Sequence, residues 1–334
     1  MPQKSTNRLL KTRECPLSNQ PHPEVLSVAN LSPFFAEPLQ AAYTVHQRLH
    51  ESDPAAFARA APHIVAIAAS GESKVSAELM DQLPALKIVS VMGVGYDGID
   101  VAAAKARGVV VTHTPGVLND DVADLAIALM LALSRQIARA DRFVRAGQWK
   151  GGPLPLGRKV SGARLGIVGM GRIGQAIAHR ATAFDMSIGY TARSAKTDLP
   201  YAYHPSPAAL AAHSDFLVVI TPGGPGTRKL IDAEVLKALG AQGCLINVAR
   251  GSVVDEAALV DALRSGAIAG AGLDVFEDEP NVPQALREMD NVVLTPHIGS
   301  ATAQTRRAMA ELAFANLHAQ LTGQPLHTPV PECQ

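Results

Sequence analysis

Short apolar runs alternate along this chain with longer stretches in which apolar residues recur at helical spacing. Such alternation predicts parallel α/β sheets rather than a β-sandwich or a helical bundle. In the first part of the chain, the apolar runs predict strands at residues 25–29, 64–68, 88–91 and 109–112. The amphipathic stretches between these runs predict helices at residues 38–42, 53–61, 76–83 and 101–107.

A second series of the same kind begins near Pro115 and Gly116. Its first element is a long predicted helix that begins at Asn119 or Asp120, either of which can cap its free amides, and ends near Ala146. The strands that follow are predicted at residues 165–169, 187–191, 216–220, 244–247, 270–274 and 292–295. Helices are predicted at residues 175–184, 233–239, 256–266 and, last, after residue 297 to about residue 322.

A glycine-rich turn joins the first strand of this second series to its next helix, as Gly169-x-Gly171-x-x-Gly174. In such a turn the first glycine permits a sharp bend, the second lets the backbone approach a pyrophosphate, and the third lets the helix pack close to the strand. Strand, turn, helix and following strand make a complete βαβ unit. The sequence therefore predicts a dinucleotide site, and a glycine turn without a ligand is the alternative.

The end of the next strand indicates which dinucleotide is bound. An NAD site usually has an acidic residue about 20 residues beyond the first glycines, where it accepts a hydrogen bond from the ribose 2′-hydroxyl. Here Thr191 stands in that place and is followed by Arg193, Ser194 and Lys196. A guanidinium and a hydroxyl suit a 2′-phosphate, which a carboxylate would repel. We therefore expect NADP(H) to be preferred, with NAD(H) as the alternative, unless Arg193 is an ordinary solvated loop residue.

Composition narrows the class of protein. The chain has 334 residues and 47% hydrophobic content, enough for about two domains with their own cores. Lysine plus arginine and aspartate plus glutamate balance at 30 each, so no overall field attracts nucleic acid or an anionic membrane. The three cysteines, Cys15, Cys244 and Cys333, are too few and too scattered for a disulfide framework or a zinc site. These features favour a cytoplasmic protein.

The first 23 residues carry several basic side chains but lack an apolar core of signal-peptide length. We interpret residues 1–23 as a disordered extension, with a targeting segment as the alternative. The longest apolar helical pattern, at residues 122–133, contains Asp124 and is too short to span a bilayer. No membrane partner is expected.

Three chemically active side chains follow predicted strands of the second series. Arg250 stands in Asn247-Val-Ala-Arg-Gly, Glu279 follows the strand that ends near Asp274, and His297 stands in Pro296-His-Ile-Gly. Alone, each has an ordinary explanation: a surface arginine, an acidic loop, a structural histidine. Because open α/β sheets bind ligands at the carboxyl ends of their strands, we expect the three to meet.

Together these side chains have the properties that reduction of a carbonyl requires. A carboxylate beside an imidazole favours the imidazolium and fixes which nitrogen faces the substrate, so Glu279 would prepare His297 to donate a proton. Arg250 could bridge the carboxylate and carbonyl oxygens of a 2-oxo acid and stabilise the charge that develops there. No metal is expected in this chemistry.

At this point the sequence resembles the D-2-hydroxyacid dehydrogenase family, from about residue 25 to residue 326. The family motifs stand here as Val94-Gly95-Tyr-Asp97-Gly-Ile-Asp100, Gly169-x-Gly171-x-x-Gly174, Asn247-Val-Ala-Arg250-Gly251, Asp274-Val-Phe276-x-x-Glu279-Pro280 and Pro296-His297-Ile-Gly299. Among its branches, the glyoxylate/hydroxypyruvate reductases and hydroxyphenylpyruvate reductases are the most similar. Phosphoglycerate dehydrogenases usually have an acid at the Thr191 position, and the formate dehydrogenase branch lacks the paired glutamate.

The resemblance implies an architecture and a set of roles. Two Rossmann-like, doubly wound parallel-sheet domains are expected: a flavodoxin-like substrate domain at residues 24–115 and 300–334, and an NAD(P)-binding domain at residues 116–299 inserted into it. Arg250, Glu279 and His297 would be catalytic, and the substrate would be bound by Val94, Gly95, Arg250 and His297. The residues expected to bind the cofactor are Gly169, Gly171, Arg172, Ile173, Gly174, Arg193, Ser194, Thr221, Pro222, Thr227, Val248, Ala249, Arg250, Asp274, His297 and Gly299.

The resulting hypothesis is an NADPH-preferring reductase that forms D-2-hydroxy acids from small 2-oxo acids. An aromatic 2-oxo acid reductase and a cofactor-sensing, corepressor-like protein without catalysis are the alternatives. Met92, Leu118 and Trp149 are candidates for the substrate pocket, although ordinary packing explains each of them equally well. By analogy with the family we also expect a homodimer.

Overall fold

The computed structural model describes residues 22–334, and these form two α/β domains, each built around one parallel sheet. The first sheet has the strands β1 (Glu24–Ser27), β2 (Thr44–Gln47), β3 (Ile64–Ser70), β4 (Ile88–Met92) and β5 (Val110–Thr112). Their order is β2-β1-β3-β4-β5, and every neighbouring pair is parallel. This is the flavodoxin-like order, as predicted. Strand β4 is buried along its whole length, as expected of a central parallel strand.

The helices of the first series connect these strands. They are α1 (Pro33–Ala42), α2 (Leu49–Ser52), α3 (Pro54–Ala60), α4 (Ala77–Asp81) and α5 (Val101–Ala106). Several begin at a side chain that accepts a hydrogen bond from an amide of the first turn: Asp53 for α3, Ser76 for α4 and Asp100 for α5. These caps explain why the predicted starts of these three helices agree with the structure to within one residue, whereas the helix predicted at residues 38–42 begins five residues earlier, at Pro33.

The helices of the second series are α6 (Asn119–Ser134), α7 (Ile137–Arg145), α8 (Arg172–Thr182), α9 (Pro207–Ala211), α10 (Ala233–Leu239), α11 (Glu256–Ser265), α12 (Gln284–Glu288) and α13 (Ala303–Thr322). The strands are β6 (Arg164–Val168), β7 (Ser187–Thr191), β8 (Ala202–Tyr203), β9 (Phe216–Val219), β10 (Cys244–Asn247), β11 (Gly270–Leu273) and β12 (Val292–Leu294). They form a parallel sheet in the order β12-β11-β10-β9-β6-β7-β8. The strand order reverses at β6 and β9, which places a ligand crevice at their carboxyl ends.

The last helix returns to the first domain. Helix α13 packs against α1 and β4, and the hydroxyl of Ser90 in β4 donates a hydrogen bond to the carbonyl of Ala313 at 2.8 Å. Beyond it, the amide of Val330 donates to the carbonyl of Val111 in β5. The second sheet is therefore inserted, in sequence, within the first domain.

Two predictions about the long helix are wrong. The segment from Asn119 to residue 146 is two helices, because Gln136 adopts a left-handed conformation with φ of 54° and its amide group donates to the carbonyls of Pro155 and Leu156. Nor does Asn119 or Asp120 cap the first of them: Leu118 precedes the helix, without a side-chain cap, and Asp120 pairs with Arg180 instead.

The elements that the pattern missed are short or lie at an edge. Strands β2 and β8 each lie at an edge of their sheet, and neither contains a buried residue. Helices α9 and α12 have five residues each, too few for a helical repeat to show. The predicted extension at residues 1–23 lies, up to residue 21, outside the described residues.

Candidate active site

A cavity of about 650 Å³ lies between the two domains, at the carboxyl ends of both sheets. It is lined by most of the residues that the sequence had singled out: Val94, Gly95, Gly169, Gly171, Arg172, Ile173, Gly174, Thr221, Pro222, Val248, Ala249, Arg250, Asp274, His297 and Gly299. Met92 and Leu118 also line it, whereas Trp149 does not and is 69% exposed. Glu279 stands behind His297, where both line a smaller cavity of about 280 Å³.

The glycine turn has the geometry that a dinucleotide requires. Gly169 has a φ of 105°, which strongly favours glycine, and a Cβ on Gly174 would lie 2.1 Å from the carbonyl oxygen of Gly169. The predicted close packing of helix on strand is therefore present. Helix α8 begins directly after Gly171, and no other group in the described residues lies within 4 Å of where a Cβ on Gly171 would stand. This open space above a helix N-terminus fits a pyrophosphate.

The end of β7 lies beside this turn, since the amide of Gly169 donates to the carbonyl of Thr191 at 3.0 Å. Thr191 itself is buried, and the next residues bend outward so that Arg193 and Ser194 are exposed and lie outside the cavity wall. The hydroxyl of Tyr190 accepts a hydrogen bond from the amide of Lys196 at 2.6 Å and thereby holds this bend. Both side chains are therefore open to solvent in the loop that follows β7.

Thr227 is not brought to the cavity. Its hydroxyl donates to the carbonyl of Pro222 at 2.7 Å, which closes the loop after β9. Pro222 and Thr221, by contrast, line the cavity. Thr227 can thus stabilise the loop from which Thr221 and Pro222 line the cavity.

The first domain contributes backbone to the cavity. Within residues 22–334, the amides of Val94 and Gly95 donate no hydrogen bond to another residue, while the carbonyl of Val94 contacts the ring nitrogen Nδ1 of His113 at 3.0 Å. A Cβ on Gly95 would stand 1.7 Å from Nη2 of Arg250, so only glycine lets the guanidinium lie against this loop. Two free amides beside an arginine form a site for an anion.

Arg250 is fixed from both sides. Behind it, the side chain of Asn247 donates to the carbonyl of Arg250 at 3.1 Å and accepts from the amide of Ala249 at 3.1 Å, which shapes the turn after β10. Across the cleft, Nε of Arg250 donates to the carboxylate of Asp97 at 3.2 Å. Asp97 belongs to a motif noted in the sequence, but no role for it was foreseen.

The loop that carries His297 is organised by Asp274. This carboxylate, only 2% exposed, accepts hydrogen bonds from the hydroxyl of Thr295 at 2.6 Å and from the amides of Ile298 and Gly299 at 2.8 and 2.9 Å. Its burial raises the pKa of the Asp274 carboxyl in spite of these bonds. His297 has a φ of 52°, an unfavourable conformation for this residue type that the surrounding bonds maintain.

His297 and Glu279 form the predicted pair, with Nδ1 of the imidazole 2.8 Å from Oε2 of the carboxylate. The other oxygen of Glu279 accepts from the amide of Phe276 at 2.9 Å, which fixes its orientation. Burial lowers the pKa of His297, but the hydrogen bond and negative charge of Glu279 outweigh it, so the pKa lies above its ordinary value. For Glu279, burial is likewise outweighed by the contact with His297, and the pKa of its carboxyl is lowered. The pair therefore favours imidazolium and carboxylate.

A second carboxylate reaches the same imidazole. Oε1 of Glu72, in the turn after β3, lies 3.1 Å from Nδ1 of His297. Nothing in the sequence indicated this contact, because an exposed acid in a Gly-Glu-Ser-Lys turn is an ordinary surface feature.

The comparison with known families agrees with this geometry. Residues 127–299 match the family model described as the D-isomer specific 2-hydroxyacid dehydrogenase, NAD binding domain. A hydroxyphenylpyruvate reductase of Plectranthus scutellarioides is 46% identical over 316 residues, which cover 95% of this chain and 97% of that one.

The chain belongs to the D-isomer specific 2-hydroxyacid dehydrogenase family.

Other relatives of this dehydrogenase have related names. A glyoxylate/hydroxypyruvate reductase A of Arabidopsis thaliana is 45% identical over 95% of this chain and 97% of its own length. Among solved structures, an NADPH-dependent glyoxylate/hydroxypyruvate reductase from Sinorhizobium meliloti, in complex with NADP and malonate, superposes with a TM-score of 0.89 at 46% identity, covering 93% of this chain and 98% of that one. The enzyme class and the two-domain fold predicted from the sequence are thereby confirmed. Among the described helices, none is long and apolar enough to cross a membrane.

Proposed function

We propose that this dehydrogenase reduces small 2-oxo acids, of the glyoxylate and hydroxypyruvate type, to D-2-hydroxy acids, and that it prefers NADPH to NADH. The observation that carries the proposal is the convergence of His297, Arg250 and the free amides of Val94 and Gly95 on one cavity. The names of the relatives at 45% and 46% identity support the same reaction class.

The substrate would be held by its carboxylate. In our proposal this group accepts hydrogen bonds from the amides of Val94 and Gly95, and the guanidinium of Arg250 bridges it to the carbonyl oxygen. Asp97 keeps Arg250 against Gly95, so the cation is in place before the substrate arrives. Preorganised charge of this kind stabilises the oxygen as it becomes negative.

His297 would donate the proton. Its Nδ1 is occupied by Glu279, which leaves Nε2 for the carbonyl oxygen of the substrate. Because Glu279 stabilises the imidazolium, the proton is available near neutral pH, and reduction should weaken as pH rises through the raised pKa of His297. When bound, the nicotinamide cofactor supplies the hydride that reduces the carbonyl carbon.

The cofactor would lie on the second domain. The turn from Gly169 to Gly174, together with Thr221, Pro222, Val248 and Ala249, surrounds the part of the cavity that fits it. We propose that Arg193 and Ser194 bind the 2′-phosphate at the edge of β7, supported by their exposure and by the lack of an acid at Thr191. Division of the chain into a substrate domain of residues 24–115 and 300–334 and a cofactor domain of residues 116–299 follows from this assignment.

The substrate class is tested by initial rates with glyoxylate, hydroxypyruvate and 4-hydroxyphenylpyruvate, followed by chiral analysis of the product. We expect the two small acids to be reduced faster and the product to be the D enantiomer. Preference for the aromatic acid would favour the alternative reductase, and L product would refute the stereochemical assignment. NADPH binding without turnover of any 2-oxo acid would favour a cofactor-sensing protein.

We also propose a homodimer. Helix α7 contains no buried residue, and four exposed apolar side chains lie in it or in the 11 residues that follow: Ile137, Val144, Trp149 and Leu156. Apolar patches of this kind mark protein interfaces. Sedimentation equilibrium of the full chain should give twice the chain mass, and a monomer would contradict the proposal.

A further inference from the structure

Glu72 reaches the catalytic imidazole from the wall of the cleft opposite to it. It lies in the turn after β3, in the first domain, whereas His297 lies after β12, in the second. The turn is closed by its own hydrogen bonds: the amide of Ser70 donates to the hydroxyl of Ser73 at 2.9 Å, and the amide of Ser73 donates to the carbonyl of Ser70 at 3.2 Å. The Glu72 carboxylate is therefore presented from a fixed point on the first domain.

The two carboxylates at Nδ1 of His297 are not equivalent. Glu279 is closer, at 2.8 Å against 3.1 Å for Glu72, and its second oxygen is bound to the amide of Phe276. The side chain of Glu279 is 26% exposed and that of Glu72 is 63% exposed. Since Nδ1 carries a single proton, Glu279 is its hydrogen-bond partner, and Glu72 acts through its charge.

Apart from Glu72, the charged groups that face His297 directly come from the second domain. Arg250 opposes the imidazolium. Asp274 faces it with a carboxylate that is already engaged with the Thr295 hydroxyl and two loop amides. Asp97, from the first domain, is paired with Arg250. Among the charged groups that face His297 in the described residues, Glu72 is thus the carboxylate that reaches it from the first domain.

We propose that Glu72 is a positioning residue that attracts the imidazolium of His297 across the cleft, and so links the protonated state of the catalytic site to the contact between the two domains. This inference rests on the proposed role of His297 as proton donor. Once the proton has passed to the substrate, the neutral imidazole attracts Glu72 less, and the contact between the domains weakens. Both carboxylates raise the affinity of His297 for its proton, in agreement with the raised pKa of this residue.

The test compares Glu72→Gln and Glu72→Lys with Glu311→Gln, an exposed glutamate on α13 that loses the same charge away from the imidazole. The pKa of His297 is measured by nuclear magnetic resonance of histidine labelled in the ring, with His297→Asn to assign the signal. We expect Glu72→Gln to lower this pKa by about 0.15 to 0.7 pH unit, which is the range for an exposed ion pair. Glu72→Lys should lower it further, and about 0.5 M salt should shrink both differences.

The pH profile of kcat/KM for 2-oxo acid reduction gives the functional readout. Its basic limb should move to lower pH in Glu72→Gln and further in Glu72→Lys, and should stay in place in Glu311→Gln. If the pKa of His297 in Glu72→Gln equals that in Glu311→Gln, the inference is overturned. Because the resonance measurement needs no substrate, absence of turnover would refute the proposed function without affecting this test.

Discussion

The two domains that form the walls of the cleft contribute different chemical groups to it. The wall from the second domain carries the side chains that we propose to react, His297, Glu279 and Arg250, each on a loop that follows a parallel strand. The wall from the first domain contributes the free amides of Val94 and Gly95 and two carboxylates, Asp97 and Glu72, which contact the reacting side chains opposite.

The second domain would thus provide the groups that react, and the first domain the groups that position them. A side chain that exchanges a proton must have a tuned pKa, which the hydrogen-bonded loops of the second domain provide. A wall of amides and counter-charges needs only to meet those side chains at the right distance. Changes on the two walls should therefore have effects of different size and kind.

The largest effect is expected for His297→Asn, which removes the proton donor. General acid catalysis contributes about 10²- to 10⁴-fold, so kcat for 2-oxo acid reduction should fall by that factor. Affinity for NADPH, measured by fluorescence titration, should fall much less than kcat, because His297 is only one of the residues expected to bind the cofactor. His63→Asn, at an exposed position of the first domain, is the matched control. Turnover near that of the unchanged chain would remove His297 from the chemistry.

A smaller effect is expected for Arg193→Ala, which tests whether the cofactor site extends beyond the cleft. A charged hydrogen bond to phosphate is worth about 1.5 to 3 kcal/mol, so kcat/KM for NADPH should fall by roughly 10- to 100-fold. The value for NADH should remain within about twofold of the unchanged chain. Arg59→Ala, exposed in the first domain, serves as control. Equal losses with both cofactors would argue against a 2′-phosphate site.

Glu279→Gln keeps the His297 imidazole but removes the charge that holds its proton. A carboxylate at this distance shifts a pKa by about one unit or more, so the basic limb of the pH profile should move to lower pH by about that amount. The rate at neutral pH should fall by roughly tenfold and recover in part at lower pH. A uniform loss at every pH would indicate a structural role instead.

The smallest of these effects is expected on the first wall. Asp97→Asn weakens an ion pair with Arg250 that is partly exposed, which corresponds to about a two- to fivefold rise in KM for the 2-oxo acid. The KM for NADPH should not change, because Asp97 contacts the substrate side of the cleft. If kcat falls while KM stays constant, Asp97 acts in the reaction rather than in positioning.

The sequence was sufficient to predict which side chains of the second domain meet in the cleft. Arg250, Glu279 and His297 could be predicted to meet because each follows a parallel strand, and carboxyl ends of parallel strands converge. The glycine turn was predictable for the same local reason, since its conformation depends on residues within one βαβ unit.

Contacts between the walls were not predictable. The approach of Asp97 to Arg250 and of Glu72 to His297 depends on how two separately folded sheets face each other, which no local pattern encodes. The break at Gln136 has a similar cause, because its amide binds carbonyls in the distant loop at Pro155 and Leu156. Contacts with segments far away in the sequence decided these features.

The decisive measurement of the proposed function is the initial rate of hydroxypyruvate reduction with NADPH and with NADH at equal concentrations. We predict turnover with both and a faster rate with NADPH, because Thr191 stands where an NAD site has an acid, and Arg193 and Ser194 follow it. A faster rate with NADH would contradict the 2′-phosphate site, and NADPH binding without any reduction of hydroxypyruvate would contradict the proposed activity toward this substrate.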